Sequence, residues 1–566
     1  MVTFDDDKQK RQIDEIRAEE EENLIRVLAE SKYNLPYINL KPIPIENEAL
    51  RIIPEEEARK WAVAPFRILG KNLHVAIFSP NKPEVKEMLT SLSARGFKVF
   101  LYMASHQSLL KVWGRYKELS QTESTRAGGL DVSGEVLTLL GKEIKSIQDI
   151  PRIIESKTKE VKTHRVSRML EVILAGAISI DASDVHIEPQ EKEVRLRYRI
   201  DGVLQEVMSF PFDLFKMLGA RIKLLSGLKL SSEATAQDGR FSIWIGKDEI
   251  NVRVSTVPGA YGEGFVMRLL NPKAIRVGLE ELGIEAKLFS IIEREINRPQ
   301  GMILVTGPTG SGKTTTLYAF LRKIYSPEIK MITIEDPIEY HLTGITQTQV
   351  EPEKKYTFLA GLRAAMRQDP DVIMVGEIRD TETAATAIDA ALTGHIVFST
   401  LHTNNAAGVI PRLLDLEVNA KILPSALTLS LAQRLVRKLC NHCKKERVPT
   451  KEEEKMIRDI IKKGIAVGKD FASSNITEKM PLKIFDAVGC ANCSHLGYRG
   501  RIGVFEGILT DEKVATIIVE KPSDREIKKI ADTQGIFDMR EDGIIKVLRG
   551  VTSWEELKSN VDIYSD

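Results

Sequence analysis

The run Gly307-Pro308-Thr309-Gly310-Ser311-Gly312-Lys313-Thr314 constrains the fold of this chain more than any other stretch. It matches G-x-x-x-x-G-K-[ST], and its surroundings fix its structure. Met302-Ile303-Leu304-Val305 directly before it is a buried-strand pattern, and Thr315 to Lys323 directly after it continues as a helix. A glycine-rich turn between a buried strand and a helix N-terminus turns backbone N–H groups toward one point, a cradle for phosphate. Residues 307–315 are thus the expected nucleotide-binding loop. Lys313 is assigned to the β- and γ-phosphates, and Thr314 to a magnesium ion. From Gly301 onward apolar strands alternate with helices, the order of a parallel doubly wound sheet.

Three further strands of that sheet end in polar groups, as an open α/β site requires. Lys330 to Ile334 ends in Glu335-Asp336, Asp371 to Val375 in Gly376-Glu377, and His395 to Thr400 in Leu401-His402-Thr403. Asp371–Val375 reads as a Walker B strand with Gly376 where the magnesium-side aspartate usually stands. Glu377 is then the carboxylate that orients and polarises an attacking water. Glu335 is expected to assist the water or the magnesium shell, and His402 to sense the γ-phosphate. His395, at a strand start, is a weaker candidate for the same task.

Cys440-Asn441-His442-Cys443 and Cys490-Ala491-Asn492-Cys493 use every cysteine of the chain as two C-x-x-C pairs. Four thiolates close a tetrahedral Zn2+ site with no ligand position left for water, so the expected role is structural. A redox pair, or two buried thiol pairs, would use the same residues. The site would close a long insertion, residues 440–495.

At 566 residues the chain exceeds one core, and roughly 150 residues per domain gives three or four units. Residues 1–30 read as a charged helical arm, 31–119 as an N-terminal α/β domain, and 120–162 as a linker with some helix. Residues 163–272 read as an α+β domain, 278–510 as the nucleotide-binding core, and 511–566 as a charged helical region. Arg195, Arg197 and Arg199 alternate on a predicted strand and share one face, which suits a solvated surface, a subunit interface or a nucleic-acid backbone. With 81 Lys and Arg against 80 Asp and Glu, no global field steers the protein onto nucleic acid. The charged start, and the lack of an apolar run of about 18 residues, point to a cytoplasmic protein.

With these residues in hand, the chain resembles the secretion ATPase family that drives type IV pilus assembly and type II secretion. The boxes occur in that family's order. Walker A is at 307–314, and the aspartate box runs from Ile334-Glu335-Asp336-Pro337 through Gly361-Leu362-Arg363 to Arg367-Gln368-Asp369-Pro370-Asp371. Walker B ends at Glu377, and the histidine box spans Thr393-Gly394-His395 to Thr403-Asn404. The glycine in the Walker B strand is that family's habit.

What the resemblance implies is an α/β chain with a RecA-like core and a preceding PAS-like domain, joined by a hinge near residues 271–277. Such chains form homohexameric rings that use ATP, Mg2+ and, in the insertion, Zn2+. Arginines of the PAS-like domain reach the phosphates, and by motif these are Arg240, Arg253 and Arg268. Ala236 stands where the family usually has proline. The tetracysteine insertion occurs in assembly and secretion members and is typically missing from retraction members. Implied partners are a polytopic inner-membrane platform protein and an adaptor bound through the N-terminal domain, with the motor associated peripherally with the inner membrane. Pilus assembly is the first expectation, the type II secretion pseudopilus ATPase the second, and a nucleic-acid translocase a distant third.

Overall fold

In a computed structural model the chain is described over residues 20–564, apart from 44, 70, 95, 121–128, 131–139, 141, 142, 145, 161–164, 232, 233, 246, 247 and 271–276. The expected hinge therefore lies almost wholly outside the described residues, as do the first 19 residues of the expected arm. The chain divides into two compact units, Met1–Ala127 and Gly128–Asp566.

In the first unit, alternation of apolar residues builds a sheet in the order β1 (Val63–Leu69), β2 (Asn72–Ile77), β3 (Lys98–Met103). β1 and β2 are antiparallel, and β3 lies parallel to β2 after the helix Pro83–Ala94. Leu73, Val75 and Ile77 point inward, as the period of two dictates. The helix His106–Ser120 locks on through Trp113, whose Nε1–H donates to Val63 O at 2.9 Å. The arm is not wholly solvated. Ile25 and Ala29, one helical turn apart, are buried in this core, and Glu21 accepts the His106 N–H at 3.0 Å.

The second unit begins earlier than the expected linker boundary. Leu140, Ile144, Ile147, Ile150, Ile153 and Ile154 all enter its core, the last three from the helix Asp149–Glu160. Their neighbour Arg165–Ser179 is a helix whose small residues admit the close packing. The sheet they join is built from β4 (Gly129–Leu130), which precedes both helices, and β5 (Asp184–Pro189), β6 (Val194–Ile200), β7 (Val203–Phe210), β8 (Gln237–Ile245), β9 (Asp248–Gly259) and β10 (Gly262–Leu270), which follow them, in the order β4-β8-β9-β10-β5-β6-β7. This is the α+β part of the unit. Arg197 pairs with Glu188 and Arg199 with Asp184, which leaves Arg195 as the exposed member of the arginine face.

The core sheet runs β13-β12-β14-β15-β11-β16-β19. Its strands are β11 (Gly301–Thr306), β12 (Met331–Glu335), β13 (Thr346–Gln349), β14 (Val372–Val375), β15 (Ile396–Leu401), β16 (Leu427–Leu439) and β19 (Tyr498–Leu509). Every neighbouring pair is parallel except β16–β19, which is antiparallel. β11, β12, β14 and β15 are buried along their whole length, so they read as apolar runs without alternation. Between β16 and β19 lies the insertion, with the hairpin β17 (Lys445–Arg447) and β18 (Ile484–Asp486) and the helix Lys451–Ala466. The C-terminal region is helical and is built into the core through Ile544, Ile545, Trp554 and Leu557.

Candidate nucleotide and metal sites

β11 ends at Thr306, and the loop that follows depends on Gly307. Its φ is 144°, and a Cβ there would lie 2.4 Å from Gln433 O on β16. Alanine has neither the backbone freedom nor the room. Ser311, buried in this loop, has a hydroxyl without a hydrogen-bond partner, so the cradle holds a spare donor. Lys313 opens the helix Lys313–Ile324, and its Nζ donates to Gly307 O at 2.7 Å. Burial lowers the Lys313 pKa, while Glu377 pulls it back up. Thr314 is exposed at the same helix start, and Thr315 is partly so. For Gly307→Ala, the expected outcome is at least roughly ten-fold weaker binding of a fluorescent ATP analogue, since left-handed backbone alone costs alanine about 1–2 kcal/mol.

On one side of β11 lie the ends of β14 and β15. Glu377 follows β14, and His402 follows β15 with its Nε2 3.3 Å from a Glu377 carboxylate oxygen. The other Glu377 oxygen pairs with Arg379, a residue that motif reading passed over. Gly376 comes so close to β12 that a Cβ would meet Ile334 O at 3.2 Å, which gives a packing reason for glycine there. Thr403 N–H donates to Thr306 Oγ1 at 2.7 Å, tying the histidine box to the strand that feeds the phosphate loop. His395 Nδ1 lies 2.9 Å from Ala390 O, an anchor within its own helix–strand turn.

Glu335 takes a different position from the one its strand end suggests. It is 2% exposed, and its carboxylate accepts from Tyr318, from Thr333 at 2.6 Å and from Gln347 at 3.0 Å. Burial raises its pKa against those hydrogen bonds. Any direct service to water or magnesium requires these bonds to open.

Arg240, Arg253 and Arg268 are brought together by strand register, Arg240 opposite Arg253 and Arg253 opposite Arg268. Like charges in such a row repel unless anions meet them. Glu339 of the aspartate box meets Arg253 at 2.8 Å, and Asp184 meets Arg268 at 2.8 Å. The row lines a cleft of about 1380 Å3 with residues 336–343 on its other wall, and residues 307–314 are not part of that lining. The phosphate loop borders a second cavity of about 370 Å3 through residues 308–311, together with Arg434, Arg437 and Asp201. Arg437 is fixed there by Glu556 at 2.9 Å and by the Tyr498 ring at 4.1 Å.

The four cysteines converge. Sγ–Sγ distances are 3.9 Å for Cys440–Cys490, 3.8 Å for Cys443–Cys493 and 3.8 Å for Cys490–Cys493. A tetrahedral zinc with Zn–S of about 2.3 Å requires sulfurs about 3.8 Å apart. The set therefore fits the ion. Gly489 N–H points at Cys443 Sγ (3.3 Å), and Cys490 and Gly497 N–H at Cys493 Sγ (3.2 Å each). Burial opposes ionisation of Cys493, but these amides together with hydrogen bonds from the Cys443 and Cys490 thiols bring it down to about 7, while burial pushes the Cys443 thiol up.

The family model described as "Type II/IV secretion system protein" matches residues 159–559, and one described as "MshEN domain" matches residues 33–123. The chain belongs to the secretion ATPase family. It is thus a P-loop ATP hydrolase with a RecA-like core. It is 36% identical over 95% of its length, and 91% of the relative's, to the "Type IV pilus assembly ATPase PilB" of Myxococcus xanthus. To the protein of the same description in Pseudomonas aeruginosa it is 38% identical, over 94% of this chain and 89% of that one. To the "Type II secretion system ATPase E" of Vibrio cholerae it is 44% identical, over 69% of this chain and 74% of that one. Among the described residues of this secretion ATPase no helix is long and apolar enough to cross a membrane.

Proposed function

We propose that this secretion ATPase is the hexameric motor that powers pilin polymerisation in type IV pilus assembly. What supports this reading is span. The pilus relative aligns over 95% of the chain, N-terminal unit included, against 69% for the secretion relative. The higher identity to the secretion relative, 44% against 36%, keeps the type II secretion pseudopilus ATPase as the second reading.

In this account Gly307 to Thr315 cradle the phosphates of ATP, Lys313 meets the β- and γ-phosphates, and Thr314 holds Mg2+. Glu377 accepts the proton of the attacking water, and His402 beside it reports the γ-phosphate. Arg240, Arg253 and Arg268 supply guanidinium charge when the 163–272 domain closes on a nucleotide, and that closure and release is the stroke. Zn2+ at Cys440, Cys443, Cys490 and Cys493 fixes the insertion. The motor works in the cytoplasm as a homohexamer against a polytopic inner-membrane platform protein. An adaptor binds the N-terminal unit, and no nucleic acid takes part.

Cells whose own copy is replaced by Glu377→Gln test the pathway. Loss of surface filaments with exoprotein release intact is the expected result. Intact filaments with lost release would transfer the motor to type II secretion.

A further inference from the structure

The loop that carries His402 is held from below by a carboxylate that no part of the nucleotide chemistry uses. Glu506 sits on β19 opposite Ala432 and lines a small cavity with Lys469, Lys528 and Asp538 among apolar neighbours. One of its oxygens accepts the Ala406 N–H at 2.6 Å, and the other faces the Met539 N–H at 3.4 Å, at the start of the helix Met539–Leu548. The short bond to Ala406 carries the tie and the Met539 N–H is a longer second contact; burial pushes the Glu506 carboxyl up, and these two amides pull it back down.

The tie continues in both directions. Thr403 Oγ1 donates to Asn405 O at 2.9 Å, and Asn405 Oδ1 accepts the Gly408 N–H at 2.7 Å. Asn405 Nδ2 donates to Asp524 of the helix Asp524–Ala531 at 3.0 Å. Residues 403–408 are therefore pinned to Thr306 on one side and to Glu506 and Asp524 on the other. His402, the residue before this pinned stretch, has an exposed side chain whose recorded partner is Glu377. Its position is set by the loop rather than by packing around the ring.

We infer that Glu506 is a positioning residue for ATP hydrolysis: its grip on the Ala406 N–H sets the histidine-box loop so that His402 stands against Glu377. This rests on the reading of Glu377 and His402 given above. It also makes the C-terminal helices part of the catalytic machinery, because Glu506 joins the loop to the start of Met539–Leu548 and Asp524 joins it to a second helix. Displacement by about an ångström is enough to cost a reaction orders of magnitude.

The test compares Glu506→Gln, Asp524→Ala and His402→Ala in the full chain. Steady-state ATP turnover is measured, with exchange of the Ala406 amide and Tm as further readouts. Glu506→Gln presents an amide nitrogen to one of the two N–H groups. The expected result is roughly ten-fold lower kcat with KM for ATP unchanged, faster Ala406 exchange and a Tm within a few degrees of wild type. Asp524→Ala, which removes the acceptor of an exposed bond, gives a smaller fall of the same kind and keeps the test alive if Glu506→Gln does not fold. Wild-type kcat in both variants, or a fall that follows Tm alone, overturns the inference. Wild-type kcat in His402→Ala overturns the reading beneath it instead.

Discussion

Glu377→Gln is expected to lower ATP turnover by roughly 10^2- to 10^4-fold, the range for removal of a general base, or about 3–5 kcal/mol in the barrier. Glutamine keeps the shape and can still reach His402, which stands 3.3 Å from the carboxylate, but it accepts no proton. Arg379 loses its anion. Its side chain is 64% exposed, so water replaces the pair at little cost and the fold is not at stake. Nucleotide binding depends on the 307–315 loop and should survive. Fluorescent-analogue titration beside a phosphate-release assay separates the two effects, and equal turnover in variant and wild type would remove Glu377 from its role.

The second large effect concerns the metal. Cys440→Ser with Cys493→Ser should take bound zinc from one per chain to none by elemental analysis. Cys440 directly follows β16, and Cys493 stands shortly before β19. A zinc ion held there would pin the two strand ends from which the insertion departs, Cys440 and Cys490 standing 50 positions apart. Structural zinc sites contribute about 10–16 kcal/mol of apparent binding free energy, so removal frees the insertion to unfold locally. A loss of even about 4 kcal/mol lowers Tm by roughly 4 °C for a unit the size of Gly128–Asp566. A strong chelator should reproduce the shift in wild type and leave the double variant unmoved. Unchanged metal content in the variant would point to a different ligand set.

Local features of this protein were legible in the sequence, and long-range ones were not. Strand, loop and helix around Gly307 follow one another in sequence, so the phosphate cradle could be read directly. The two C-x-x-C pairs likewise show their chemistry in their spacing. By contrast, Arg240, Arg253 and Arg268 form one row only because β8, β9 and β10 pair in a particular register, which the hydrophobic pattern and turn geometry decide. Glu335 illustrates the same limit. A strand-end acid reads as open, yet Tyr318 from the phosphate-loop helix and Gln347 from β13 close over it. Ile25 and Ala29 make a stripe too short to distinguish a docked helix from a solvated arm. The bond from Ala406 to Glu506 spans 100 residues, and no local pattern encodes it.

The measurement that bears most directly on the whole account is ATP turnover of the purified chain with its mass determined in the same sample, with and without duplex DNA. A hexamer that hydrolyses ATP at a rate indifferent to DNA is the expected result. A monomer inactive at saturating ATP and magnesium, or strong stimulation by DNA, would contradict a ring motor that works on a membrane machine.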